Sequence, residues 1–133
     1  MTGSTETGPI GAVHRFIEGF NGDDVERAQA ACTHETAIID DFPPYQWSGP
    51  DAATRWYRDM AAMATQAGMS EWSVRSEEPR HLMASDGLGY VVVPVEARWL
   101  EDGKPTVRAG YFTAALRELA EEWRISAFAW AWT

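Results

Sequence analysis

The chain has one cysteine among its 133 residues, so no intramolecular disulfide can hold it. That cysteine, Cys32, sits in the run AQAACT, where it reads as a small packed hydrophobe rather than a nucleophile. Cations are scarce as well. Eleven Lys and Arg stand singly against 20 Asp and Glu, a formal charge of −9. Nucleic-acid binding needs clustered cations to neutralise phosphate, so the balance argues against nucleic acid, and an anionic membrane surface is disfavoured on the same ground. No stretch approaches the roughly 18 apolar residues of a membrane span. The opening MTGSTETG has neither the basic stretch nor the apolar core of a signal peptide. These absences point to a soluble, cytoplasmic protein. His, Asp and Glu nowhere show metal-ligand spacing, and no glycine-rich phosphate loop or G-x-S-x-G elbow is present, so neither metal nor cofactor is implied.

What is abundant is large apolar surface. Hydrophobic residues make up 45% of the chain, with seven tryptophans, enough for one globular domain over residues 9–133 behind a flexible segment 1–8. Pro9 suits a first helical turn. Ile10, Val13, Phe16, Ile17 and Phe20 then recur at helical spacing until Asn21-Gly22 closes the segment. Asp23 or Asp24 caps a short second helix over about 24–32, and TAIIDDF follows as a strand. A third helix is expected with its cap near Ser48 or Gly49, Pro50 in its first turn and Gly68 past its end. Its apolar stripe runs through Ala53, Trp56, Tyr57, Met60, Met63, Ala64 and Ala67. From residue 70 onward five strand-like runs are separated by turn signals, notably Asp86-Gly87 and Asp102-Gly103. Three helices and a run of antiparallel strands predict an α+β fold with helices on one face of a curved sheet.

The order of elements, carried by FIEGFNGDDVERAQAACTHETAIIDDFPPYQWSGPDAATRWY, resembles the nuclear transport factor 2-like superfamily. That superfamily includes ketosteroid isomerase and the SnoaL-like cyclases. The resemblance implies a cone-shaped fold enclosing a pocket, and a small apolar molecule as its partner. In ketosteroid isomerase an aspartate base works beside an oxyanion hole made of a tyrosine and a protonated aspartate. Counted without gaps from Asn21, the base falls on Asp40; the tyrosine position, in VHRFIE, falls on Phe16, and the protonated aspartate, counted on from Asp102-Gly103, on or near Phe112. Losing one oxyanion donor typically costs about 100–1000-fold in rate, so a chain lacking both is not a working ketosteroid isomerase.

Asp40 and Asp41 are adjacent on a strand and must point to opposite faces, but alternation alone does not say which looks inward. The resemblance chooses Asp40, with Asp41 solvated or forming a turn. Asp40 is then either a cavity-facing base or a structural anchor for the Pro43-Pro44 turn. A two-residue turn at Asp102-Gly103 pairs Glu101 with Lys104, and hence Ala97 with Arg108 and Val93 with Phe112. Because the resemblance implies that the Phe112 position lines the cavity, the expected ligand wall is Phe16, Phe20, Trp56, Met60, Val93, Trp99 and Phe112, with Arg108 as a second polar feature beside Asp40. His81 with Asp40 would make a dehydratase-like alternative. Phe128, Trp130 and Trp132 share one face of the last strand, and Ala127, Ala129 and Ala131 the other. A strand apolar on both faces is covered on both, which predicts a homodimer through the outer sheet face, with Tyr111, Trp130 or Trp132 in the contact.

Overall fold

A computed structural model describes residues 7–133; most of the expected flexible segment 1–8 lies outside the described residues. Helix α1 spans Pro9–Asn21 and buries Val13, Phe16, Ile17 and Phe20 of the stripe the spacing predicts, with Ala12 beside them and Ile10 only partly buried. It stops at Asn21 for a reason beyond the glycine that follows. The Asn21 side chain donates to the Val74 carbonyl and accepts from the Val74 N–H, both at 2.8 Å, acting as a substitute strand partner. Helix α2 spans Val25–Ala30, capped by Asp24, whose carboxylate accepts from the Arg27 N–H. The two helices touch through Gly19, where an added Cβ would sit 2.6 Å from the Ala28 nitrogen.

Strand β1 covers Cys32–Ile39 and β2 only Gln46–Trp47; helix α3 covers Ala52–Gln66. The remaining strands are β3 (Met69–Ser76), β4 (His81–Ser85), β5 (Leu88–Glu101), β6 (Lys104–Leu119) and β7 (Glu122–Trp132). They form one sheet in the order β2-β1-β7-β6-β5-β3, with β4 also paired to β5. Only β1 and β7 run parallel; the other pairings are antiparallel. The helices pack on one face of this sheet, giving the α+β class. Among the described residues no helix is long and apolar enough to cross a membrane.

Three details differ from the sequence reading. The third helix begins after Pro50, which instead bridges Glu35, and its cap is Asp51 in the left-handed region (φ 55°). The Asp51 N–H donates to the His34 carbonyl at 2.9 Å, so residues 48–51 belong to the edge of β1 rather than to the helix. The second helix ends at Ala30 and β1 starts four residues earlier than TAIIDDF, through the polar Cys32–Glu35. β1 also ends one residue before Asp40. The chain there folds into a tight turn, in which the Asp40 N–H donates to Tyr45 O (3.1 Å) and the Tyr45 N–H to Phe42 O (2.8 Å).

The hairpin registers carry the site. Asp102 and Gly103, at φ 50° and 83°, make the expected two-residue turn, and Glu101↔Lys104, Ala97↔Arg108 and Val93↔Phe112 are paired. Val91, Val93, Val95, Phe112, Ala114 and Leu116 are all at most 2% exposed, so this face is the core face. Between β6 and β7 the register slips at Ser126: Leu116 opposes Ile125 but Ala115 opposes Ala127. The bulge carries Phe128 and Trp130 inward, so the expectation that Trp130 or Trp132 lies on the outer face is corrected.

Candidate functional site

A cavity of about 340 Å³ opens between the helices and the inner face of the sheet. Phe20 comes from α1; Trp56, Met60 and Met63 from α3; Met69, Trp72, Ser73 and Val74 from β3. Ala97, Trp99 and Glu101 on β5, Arg108 on β6, and Trp130 and Trp132 on β7 form the sheet side. The turn after β1 contributes Asp40, Asp41 and Phe42.

Asp40 is 7% exposed and is one of two buried polar or charged residues among those described. Its Oδ2 accepts from Trp56 Nε1 at 2.9 Å and its Oδ1 from the Asp41 N–H at 2.7 Å. Burial raises its pKa from an ordinary 3.8 to about 6. The Trp56 and Asp41 donors pull in the opposite direction, the Asp41 charge raises it further, and Trp132 lowers it slightly. The result is a carboxylate more basic than usual, packed against the aromatic part of the wall.

Asp41 does not point away from this space. It reaches the mouth of the cavity, half exposed, and pairs with Arg108 at 3.3 Å. Alternation fails here because both carboxylates stand past the end of β1, in the turn. The Arg108 guanidinium also lies 5.9 Å from the Trp132 ring centroid, and Trp132 stacks on Trp130 with centroids 5.4 Å apart and planes 5° from parallel.

Of the residues singled out from sequence, Asp40, Phe20, Trp56, Met60, Trp99 and Arg108 line the cavity. Phe16, Val93 and Phe112 do not; each is fully buried behind its wall. Phe16 packs with centroid distances of 4.9 Å to Phe128, 5.6 Å to Phe112 and 5.8 Å to Trp56, so the ring cluster fills the deep end. His81 is exposed on β4 with its ring edge to Tyr90, and it is not among the residues around Asp40; the acid–base pair is not formed. Cys32 is buried, and burial pushes its thiol up to about 12, which suits packing and not nucleophilic attack. Sequence reasoning missed Met63, Met69, Trp72, Glu101, Trp130 and Trp132.

No family model matches the chain, and no curated protein matches it significantly. Solved structures do. A nuclear transport factor 2-like superfamily protein from Salmonella enterica superimposes with TM-score 0.73 at 10% identity, over 91% of this chain and 85% of that one. The fold is that of nuclear transport factor 2. A ketosteroid isomerase-like protein from Erwinia carotovora shares this fold with TM-score 0.74 at 16% identity, covering 93% of this chain and 92% of the other. So does a hexachlorocyclohexane dehydrochlorinase from Novosphingobium barchaimii, with TM-score 0.75 at 11% identity over 92% and 84%. In all three the likeness spans nearly the whole chain of this nuclear transport factor 2-like fold.

Proposed function

We propose that the cavity takes up a small apolar molecule and that Asp40 accepts a proton from it. The observation that carries this reading is a single buried carboxylate on an aromatic wall, with room beside it for a ligand. A carboxyl held near pH 6 is a better base than a solvated one and is still ionised at neutral pH. Structural neighbours named as isomerase-like and dehydrochlorinase proteins lend the reading support, since both chemistries begin with loss of a proton from carbon. The test is deuterium incorporation, followed by mass spectrometry, into ring compounds whose C–H is acidified by a neighbouring carbonyl. Wild-type protein accelerates exchange and Asp40→Asn loses at least about 100-fold of that acceleration. Exchange untouched by the substitution sinks the assignment of the base.

A second reading is binding without turnover. Phe16 and Phe112 pack in the ring cluster and supply no hydrogen-bond donor for a developing oxyanion. Saturable binding with no exchange in any compound selects this reading.

The homodimer belongs here too. On the outer face, Ala37, Ile39, Thr113, Ala115, Ala127 and Ala129 line a shallow groove of about 460 Å³, and Ile39 is 54% exposed. A flat alanine-rich sheet face of this kind suits pairing with its own copy.

A further inference from the structure

We propose that the cavity selects an organic cation, an apolar or aromatic body that carries a substituted ammonium group. This rests on the reading that the cavity binds a small molecule, and it names the class of molecule. Five of the chain's seven tryptophans line this one space: Trp56, Trp72, Trp99, Trp130 and Trp132. A wall meant only to be oily has no need of indoles. Leucine and isoleucine serve as well, and neither lines it. What tryptophan adds is a negative ring face, the best natural surface for a cation stripped of water.

The carboxylates are placed to strengthen that surface. Trp56 donates its ring N–H to Asp40 at 2.9 Å, and Trp99 donates to Glu101 at 3.1 Å. In each pair the positive edge of the indole is turned to a carboxylate. Trp56 is itself buried, stacked against Phe20 and Trp130, whereas Trp99 is only partly buried and is the one of the two with surface left for a ligand. Three carboxylates, Asp40, Asp41 and Glu101, surround the cavity against a single guanidinium, Arg108, which is already paired with Asp41. A carboxylate ligand would therefore meet uncompensated negative charge. The wall also holds one cation over an indole: the Arg108 guanidinium above Trp132. At a larger scale the formal charge of −9 draws cations toward the mouth.

The test compares benzyltrimethylammonium with its uncharged isostere, neopentylbenzene, by quenching of tryptophan fluorescence in the intact protein. The two have the same shape, and the neutral one is the cheaper to remove from water, so preference for the cation reports the field and faces of the site. At pH 7.5 and physiological salt the cation is expected to bind at least about tenfold tighter. Moving to pH 5 protonates an Asp40 that titrates near 6, and should weaken the cation about tenfold while leaving the isostere unchanged. In Asp40→Asn the cation's pH dependence should vanish. If neopentylbenzene binds as tightly as the cation or tighter, the cation assignment is overturned and the cavity stands as a site for neutral molecules. If neither quenches at millimolar concentration, the cavity reading falls with it.

Discussion

Replacing Asp40 with Asn should make the protein more stable at alkaline pH and less stable in acid. In the unfolded chain this carboxyl ionises near 3.8, and in the folded protein near 6, because burial disfavours its charge. Below 3.8 it is protonated in both states and burial of charge costs nothing. Between the two values folding takes up a proton, so stability falls as pH rises. Above 6 the whole penalty is present, about 3 kcal/mol at 1.36 kcal/mol per pH unit. Asparagine carries no charge to bury, but it has one carbonyl oxygen where the carboxylate has two acceptors. The Trp56 and Asp41 N–H groups cannot both be satisfied, which costs about 1–2 kcal/mol at every pH. The variant should therefore be about 0.5–1.5 kcal/mol less stable than wild type at pH 4, where about 0.5 kcal/mol of the penalty is already present, and about 1–2 kcal/mol more stable at pH 8. Urea unfolding at fixed protein concentration measures both, and taking the difference at each pH cancels every other titrating group. A difference that stays constant from pH 4 to 8, or that moves the other way, refutes the claim that Asp40 is held against its charge.

Substituting Trp56 with Phe removes the donor to Asp40 Oδ2, a charge-assisted bond worth about 1.5–3 kcal/mol. The Asp40 titration midpoint should then rise from about 6 by about one to two pH units. Carbon-detected NMR of the carboxyl reads this directly, and a midpoint that stays or falls contradicts the assignment. Ala129→Glu places a charge in the outer-face groove and should convert a dimer to a folded monomer in sedimentation equilibrium, with near-ultraviolet dichroism unchanged. Wild-type protein sedimenting as a monomer at micromolar concentration removes the proposed interface.

The fold was legible because its signals are local. Apolar spacing in α1 and α3 and the Asp-Gly turns at 86–87 and 102–103 suffice for the helices and for the long β5–β6 hairpin, with its register correct to the residue. The β6–β7 hairpin shows where local signals stop. Its turn residues, Ala120 and Glu121, adopt positive φ with no glycine or asparagine to announce it. Counting from Leu119↔Glu122 without a bulge would set Ala129 opposite Phe112; the extra residue at Ser126 sets Trp130 there instead. One residue therefore decides whether two tryptophans line the cavity or the outside. The same limit applies at Asp41, which the short turn after β1 brings to Arg108 across 67 positions of sequence. Asp40 itself was found only by resemblance, since Ile38 and Ile39 leave both faces equally apolar.

The place where core gives way to cavity can be followed row by row across the sheet. In one row Val93, Phe112 and Trp130 face one another on β5, β6 and β7, each at most 5% exposed, and the ring of Phe16 closes over Phe112 and Trp130. The next row is Val95, Gly110 and Trp132. Here the middle strand has no side chain, and a Cβ at Gly110 would come within 2.7 Å of Trp132 Cε3. Trp132 therefore lies across β6, parallel to Trp130 and beneath the Arg108 guanidinium, rather than standing up from the sheet. One row further, Ala97 faces Arg108, small against charged, and burial is lost on both. The packing that stabilises the protein thus ends at Gly110. Beyond it the wall is built of flat rings and ionised groups with no helix side chain filling the space between them. Phe16 and Phe112 fill the deep end without closing the cavity, because the cavity is set by Gly110 and the rows beyond it.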